Sequence, residues 1–323
     1  MEIMKRLTGT KSIVLILLIL LIPQVIFAET ILVLRSEGET FDQTYKAIYD
    51  DLHDEVTFIE KIIKRKTSTN DIEQSIRNIK PKIIILIGNK SVALYSSYQA
   101  SVTDKNFPPG LALSALYIDK QLANVKNTSG IRYEIPAVTS AVQVRSLLNK
   151  PVRKIGVIYR QWMSDFIQIN KDFCRQEDIE LVTIKLENNP SFQEVKYHLK
   201  HLIKDDIDAL WVVNDNILLS ARLIQNAWIP ALKNFNKPVI VGIDALTSTP
   251  LSFGTFSISP DNYALGVQGA EMIAEIIDNN WKIDQPDIVE PLSITKLLNV
   301  KLSKSKNIPI NMQKLDAIDR LIQ

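Results

Sequence analysis

The chain has little cysteine and little glycine, and neither residue occurs in a known catalytic motif. The single cysteine, Cys174, cannot form an internal disulfide, and its helical spacing from Phe166 predicts a buried, inert thiol. The 10 glycines do not cluster, so the chain has no glycine-rich phosphate loop, no GxGxxG fingerprint and no GxSxG elbow. The histidines at positions 53, 198 and 201 lack metal-ligand spacing with the cysteine. We therefore expect no enzymatic activity, no cofactor and no metal site.

The chain also lacks a long apolar run beyond residue 28, whereas the first 28 residues have the pattern of a secretory signal peptide. Positive residues up to Lys11 precede an apolar run that ends at Pro23, and Ala28 offers a small residue at the expected cleavage point. The run is short for a membrane span, and an uncleaved N-terminal anchor is the open alternative. We expect a periplasmic protein.

Neither sign of charge is in large excess. The net charge of the full chain is +2, and the expected signal peptide carries the same net charge, so the mature chain is close to neutral. A neutral chain has no bulk electrostatic field that attracts nucleic acid. We therefore expect no nucleic-acid partner.

What the chain does contain is a regular alternation of short apolar runs with amphipathic segments. Strands are predicted to begin near residues 30, 56, 82 and 111 in the first half and near 154, 180, 208 and 238 in the second. Each half holds four βα units of ordinary size. The pattern predicts an α/β fold with two Rossmann-like lobes, each a parallel sheet wrapped by helices, joined by a multi-strand hinge.

Capping residues predict where several helices begin. The expected helices are 71–79 with a capping box of Asn70 and Glu73, 164–176 capped by Ser164, one ending at Ile203 capped by Ser191, and 263–278 capped by Asp261. A helix over 217–228 is expected to stop before Pro230, because proline breaks a helix interior. Residues 292–310 are expected to be an extended tail.

The boundary between the halves is expected within residues 131–139, which contain Pro136 and show no clear periodicity. The late helix and the return strand suit a chain that crosses between the lobes more than once. We predict that residues 1–28 are the signal peptide. We assign residues 29–133 plus 258–290 to lobe 1, and residues 134–257 plus 291–323 to lobe 2.

Ligands of open α/β sheets bind at the carboxyl ends of the strands, which selects a set of loops. The run Ile83–Ile87 predicts a strand buried on both faces. A turn and a helix start follow it, where free backbone N–H groups favour an anion. The candidate ligand-binding residues on these loops are Ser36, Gly88, Asn89, Lys90, Ser91 and Tyr117 in the first half and Tyr159, Arg160, Trp162, Asn214, Asp215 and Asp244 in the second.

Together these groups suit a zwitterion such as an amino acid. Ser91 and the N–H groups beside it favour a carboxylate, Asp215 and Asp244 favour an ammonium group, and Arg160 favours a second acid group. The aromatic residues could enclose an apolar body. The alternatives are an ordinary βα turn without ligand, Asp215 as a helix cap, Trp162 in lobe packing and Tyr159 in the core.

Several segments match one known family in both order and spacing. They are Asn127-Thr128-Ser129-Gly130-Ile131 before Pro136, Arg153 to Tyr159, Asp208-Ala209-Leu210 with Asn214-Asp215-Asn216, Lys237-Pro238-Val239, Tyr263-Ala264-Leu265-Gly266, and Leu298-Asn299-Val300 before Ile308-Pro309. In these segments the chain resembles the ABC transporter substrate-binding proteins. The relevant group is the periplasmic binding protein type I group, which includes tryptophan and tyrosine binding proteins.

The resemblance implies that the chain captures a small ligand, an amino acid or a similar molecule, by closing its lobes. It implies delivery to a membrane permease with an ATPase partner. It also implies that the Gly88 turn holds a ligand carboxylate, although Asn89 and Lys90 replace the family's usual Thr and Pro. Arg160-Gln161-Trp162 departs from the usual Asn-Pro after Tyr159. The alternative function is a sensory binding protein of the same fold that signals to a membrane kinase or cyclase.

Overall fold

The computed structural model describes residues 29–103, 105–248, 250 and 252–323. The predicted signal peptide, residues 1–28, lies outside these described residues. Within the described ranges, no helix is both long enough and apolar enough to cross a membrane.

The first lobe begins with alternating strands and helices. In chain order they are β1 Thr30–Ser36, α1 Glu39–Leu52, β2 Thr57–Ile63, α2 Thr69–Ile79, β3 Ile83–Ile87, α3 Asn89–Ser101, β4 Gly110–Leu113, α4 Ile118–Leu122 and β5 Thr128–Ile131. Every residue of β3 is fully buried, as predicted for a strand with helices on both faces of its sheet.

The second lobe repeats the alternation. Its elements are α5 Ala137–Leu147, β6 Lys154–Arg160, α6 Ser164–Gln176, β7 Glu180–Leu186, α7 Phe192–Leu202, β8 Ala209–Val212, α8 Ala221–Leu223, a π-helical turn Ile224–Trp228, α9 Ile229–Leu232, β9 Val239–Val241, α10 Ala245–Ser248 and β10 Phe256–Pro260. Cys174 lies fully buried on α6, as predicted, and burial raises the pKa of its thiol to about 11.

The C-terminal part of the chain returns to the first lobe and then to the second. Its elements are α11 Asn262–Asp278, β11 Ile288–Val289, β12 Ile294–Asn299, α12 Val300–Ser305, a 3-10 helix Met312–Ala317 and β13 Arg320–Ile322. Helix α11 packs closely against α1, because Gly266 has no side chain where a Cβ would lie 2.3 Å from the Thr44 carbonyl oxygen.

Among the described residues, the strands form two sheets. One has six strands in the order β11-β5-β4-β3-β1-β2, and the other has seven in the order β13-β12-β10-β9-β8-β6-β7. All neighbouring strands are parallel except β10 and β12. The two predicted lobes and the parallel sheets are confirmed.

Three short segments cross between the lobes, which is the predicted multi-strand hinge. The first is residues 132–136, the second is at Asp261, and the third is residues 290–293. The Tyr133 hydroxyl and the Asn262 side chain join the first two through a 3.1 Å hydrogen bond. The Gln268 side chain bonds the backbone of Glu290 and Leu292 at 3.0 Å each, so it ties the third segment to α11.

Two predicted helix caps are wrong, and the helix predicted over 217–228 begins only at Ala221. Ser68 and Asp71, rather than Asn70 and Glu73, form the capping box of α2, since the same motif occurs two residues earlier with the shorter acidic side chain. A 3-10 turn over Gln161–Met163 precedes α6, so Ser164 is a helical residue rather than a cap. The caps at Ser191 and Asp261 are confirmed, with bonds of 3.2 and 2.9 Å to the backbone.

Two predictions about chain breaks are also wrong. The helix before Pro230 does not stop there, because the π-helical turn widens the backbone just before the proline, where its ring would clash with a regular helix. The expected tail 292–310 contains β12 and α12. Asn299 starts α12 by accepting a 2.7 Å hydrogen bond from the Leu302 N–H.

Candidate functional site

A cavity of about 460 Å³ lies between the lobes, beside the first crossing segment. Its size falls within the usual range for small-molecule pockets. Its apolar wall belongs to the second lobe, and its charged residues, apart from Asp165 on α6, belong to the first lobe and the crossing segments. The apolar wall contains Trp162, Met163, Phe166, Ile169 and Phe173. The charged residues that line the cavity are Asp119, Lys120, Arg132, Glu134, Asp165 and Glu290.

A second, smaller cavity of about 20 Å³ adjoins the first and shares Tyr117, Glu134 and Phe166 with it. Ser140 and Asn214 line this smaller space. Among the described residues, the Ser140 hydroxyl and the Asn214 side-chain oxygen are buried without a hydrogen-bond partner. The space is large enough for one water or one small polar group.

Tyr117 joins the two lobes at this site. It begins α4 in a left-handed conformation, with φ of 53°. Its ring meets Trp162 and Phe166 edge-on, with centroid distances of 4.9 and 5.2 Å. Its hydroxyl donates a 2.9 Å hydrogen bond to the Asn214 backbone oxygen. Burial raises the pKa of Tyr117, and nearby carboxylates raise it further, so the hydroxyl keeps its proton and remains a donor.

Glu134 is the acidic group at the junction of the two cavities. It belongs to the first crossing segment and is only 8% exposed. Its carboxylate accepts a 2.8 Å hydrogen bond from the Tyr117 N–H. Burial raises its pKa to about 7, against the smaller lowering effect of that bond, and the charges of Asp119 and Glu290 raise it further. A buried carboxyl that titrates near neutral pH is typical of a functional site.

Trp162 presents its ring to two cations. The Lys120 ammonium group, from the first lobe, lies 4.9 Å from the ring centroid, and the Arg160 guanidinium lies 5.4 Å from it. The indole N–H is buried and has no partner within the described ranges. The Trp162 backbone N–H is held by the Asn188 side chain at 3.1 Å, so the loop that carries the ring is fixed.

Arg160 and Asp215 form a buried ion pair at the carboxyl ends of β6 and β8. The guanidinium donates to both Asp215 oxygens at 2.7 to 3.0 Å and to the Asn188 backbone oxygen at 2.9 Å. Asp215 also accepts bonds from the N–H groups of Ile217 and Leu218. The sequence predicts that these two side chains face a ligand, whereas here they bind each other and the backbone.

The turn after β3 is likewise held by bonds within the first lobe. Gly88 adopts φ of 93° and lies against Ser36 and Phe41. The side chains of the turn bond to backbone groups of the same lobe: Asn89 to Leu116, Lys90 to the Lys64 oxygen and Ser91 to the Ile87 oxygen. The Ser91 N–H, predicted to favour a carboxylate, donates to the Gly88 oxygen at 3.1 Å.

Two further predicted residues are placed elsewhere in the second lobe. Asp244 accepts hydrogen bonds from the Ser257 hydroxyl at 2.7 Å and from Arg320 at 2.9 Å. Tyr159 is half-buried and packs against the core. Of the predicted set, Tyr117, Trp162 and Asn214 line the two cavities described above.

The sequence reasoning missed Glu134, Ser140 and Phe166. Glu134 carries a weak signal, because it is an acidic residue between Tyr133 and Ile135 in the predicted boundary region. Ser140 and Phe166 carry none, since both lie within amphipathic helices where small and aromatic residues are common.

Comparisons with known proteins give different results for the sequence and for the structure. No protein-family model and no curated protein matches the chain. Solved structures do match. The ABC domain in complex with L-Trp from Streptococcus pneumonia is 17% identical, with 91% of this chain and 100% of that chain covered and a TM-score of 0.59. A conserved domain protein from Vibrio cholerae is 16% identical, with 91% and 99% covered and a TM-score of 0.60.

The ligand-free, open structure of a substrate binding protein with adhesive properties from Clostridium difficile is also similar. It is 16% identical, with 90% of this chain and 98% of that chain covered and a TM-score of 0.68. At such identities the likeness concerns the fold. The parallel sheets, the three crossings and these similarities show that the chain has the periplasmic binding protein type I fold, the fold of ABC transporter substrate-binding proteins.

Proposed function

We propose that this chain is an extracytoplasmic solute-binding protein that captures a small organic ligand between its lobes and delivers it to the permease of an ABC transporter. The observation that carries the proposal is the interlobe cavity of about 460 Å³, which both lobes and the crossing segments line. The resemblance in sequence implies an amino acid or a similar molecule as the ligand.

The geometry of the three crossing segments supports capture of a ligand by closure of the two lobes. A few residues in each crossing segment can absorb the rotation of one lobe against the other, as hinges do in this type of fold. Tyr117 and Lys120, from the first lobe, bond to the backbone oxygens of Asn214 and Trp162 in the second lobe at 2.9 and 3.4 Å. A ligand that touches both lobes favours the closed state by its extra affinity for that state.

The comparisons support the proposal at the level of the fold. Two of the similar proteins are described as an ABC domain bound to L-Trp and as a substrate binding protein. The signal-peptide pattern of residues 1–28 supports export from the cytoplasm. The permease would bind the closed arrangement of the two lobes.

A thermal-shift screen tests the proposal. The secreted protein, refolded to remove carried-over ligand, is exposed to amino acids, amines, carboxylates, nucleosides and sugars. A ligand at about 100 times its Kd stabilises the fold by about 2.7 kcal/mol, which is a clear rise in Tm. We expect hits within one chemical class, lost in Trp162→Ala and kept in Tyr197→Ala, since Tyr197 is 65% exposed and lines neither cavity. A flat screen refutes solute capture.

A further inference from the structure

We infer that the interlobe site recognises an organic cation, an amine attached to an apolar body, in preference to the matched carboxylate or amino acid. This inference rests on the proposed solute-binding function and narrows its ligand class. Four observations carry it: the acceptors around the small cavity, the partners of the local cations, the sign of the charged wall and the apolar wall.

The small cavity is surrounded by hydrogen-bond acceptors. Glu134 contributes a carboxylate, and the main influences on its pKa are burial, backbone hydrogen bonds and neighbouring acids. Ser140 is fully buried and Asn214 is 8% exposed, and each has a buried side-chain oxygen without a partner in the part of the chain that the structure describes. An alkylammonium group has three N–H donors on one small head. In about 20 Å³ of space, that head can donate to the oxygens of these side chains, whereas a carboxylate would place its own oxygens against those of Glu134 and Asn214.

The cations near the site already have partners. Arg132 donates to both Asp119 oxygens at 2.6 and 2.9 Å and to Glu290 at 2.9 Å. The Arg160 guanidinium is committed to Asp215 and the backbone. A ligand carboxylate would therefore have to compete with Asp119, Glu290 or Asp215 for either arginine.

Lys120 is the least committed cation, and it lines the larger cavity but not the smaller one that Glu134 shares. Its ammonium group lies 4.9 Å from the Trp162 ring centroid and 3.4 Å from the Trp162 backbone oxygen. The electron-rich face of an indole attracts cations, more strongly when water is excluded. A lysine ammonium therefore already occupies a cation position at the edge of the cavity.

The charged wall has more acids than bases. Four carboxyl residues and two basic residues line the larger cavity, so its field favours an incoming cation. The charged groups that line this cavity together with Glu134 are Asp119 and Lys120 on α4, Arg132 in its own segment, Asp165 on α6 and Glu290 on the third crossing.

The apolar wall defines the rest of the ligand. Ile169 and Phe173 are 53% and 40% exposed, which is high for such side chains, and both face the cavity beside Trp162 and Phe166. An apolar or aromatic body would remove this surface from water. The wall lies next to the small cavity, so one molecule can place its ammonium head at Glu134 and its body on the wall.

The test compares molecules that share a body and differ in the head group. Titration calorimetry at pH 8 uses an amine series from butylamine to phenethylamine and tryptamine. The matched acids are valerate, 3-phenylpropionate and indole-3-propionate, and the matched zwitterions are norvaline, phenylalanine and tryptophan. We expect the best amine to bind at least tenfold more tightly than its matched acid and zwitterion.

Glu134→Gln should weaken binding of that amine at least tenfold. Glu55→Gln, at an exposed position in the α1–β2 connection, should leave it unchanged. An acid or zwitterion that binds as tightly as its matched amine overturns the inference, as does full affinity in Glu134→Gln or an amine series without binding. A sugar, nucleoside or acid hit in the wider screen would overturn the cation preference while leaving solute capture intact. Absence of any ligand would remove both.

Discussion

Replacing Glu134 by glutamine should make the protein more stable at pH 8, even though it removes a group that we place in the ligand site. The folded state raises the pKa of this carboxyl from its ordinary 4.5 to about 7, chiefly through burial. The folded state therefore holds the proton more tightly than the unfolded state. The contribution of this carboxyl to the free energy of unfolding is therefore most favourable below about pH 4.5. It becomes less favourable as the pH rises towards 7, and the full cost of the buried charge is present above that value.

The size of the effect follows from the same two values. Each pKa unit corresponds to about 1.4 kcal/mol, so the charged carboxylate destabilises the fold by about 3 kcal/mol above pH 7. Glutamine has the same shape and can still accept the Tyr117 N–H bond, and the pKa of about 7 already includes the effect of that bond on the charged form. We therefore expect a gain of about 3 kcal/mol in the free energy of unfolding at pH 8.

Urea denaturation at pH 5 and pH 8 measures this gain. The wild type should lose stability between the two values, and Glu134→Gln should lose about 2–3 kcal/mol less over the same interval. Glu55→Gln serves as the control, because that exposed residue should leave the wild-type pH dependence unchanged. A Glu134→Gln variant with the wild-type pH dependence, or with lower stability than the wild type at pH 8, would refute the reasoning.

Asp215→Asn should lower the free energy of unfolding by about 3–5 kcal/mol, because it leaves the buried Arg160 guanidinium without its charge partner. Asp172→Asn, which removes the exposed i,i+3 ion pair with Arg175 on α6, should change the free energy of unfolding by at most about 1 kcal/mol. Equal losses for Asp215→Asn and Asp172→Asn in urea titrations would contradict this difference. Tyr117→Phe removes the interlobe bond to Asn214, so small-angle scattering should show a larger radius of gyration and denaturation a loss of about 1 kcal/mol. No change in either quantity would mean that this bond does not hold the lobes together. The Cys174 thiol, whose pKa burial raises to about 11, should resist a disulfide reagent at pH 8 and react on addition of urea. Rapid labelling of the native protein would show that the thiol is accessible.

Local sequence patterns predicted the strands better than the helix ends. Ile83–Ile87 is a continuous apolar run, and any sheet that accepts it must bury both of its faces. The start of α2 was predicted two residues late, since Ser68 and Asp71 satisfy the same capping pattern as Asn70 and Glu73. The passage of the chain through Pro230 could not be predicted, because the π-helical turn that permits it depends on packing within the second lobe.

The candidate site shows the same division. The rule that ligands bind at the carboxyl ends of strands selected Tyr117, Trp162 and Asn214, which do line the interlobe cavities. The same rule also selected Arg160 and Asp215, and nothing in the sequence indicates that two residues so far apart in the chain bind each other. Their pairing requires β6 and β8 to be neighbours, which is a property of the sheet order.

Hydrophobic periodicity alone determined the alternation of strands and helices, the division into two βα halves and the parallel sheets, because these depend on which residues must leave water along a short stretch of chain. Only the tertiary structure decided which polar side chains are buried and which groups they bind. Glu134 is an ordinary acidic residue in the sequence, and it becomes a buried carboxyl with a pKa of about 7 because two lobes close around the segment that carries it. Desolvation and pairing of charges depend on residues distant in sequence, and no local pattern records them.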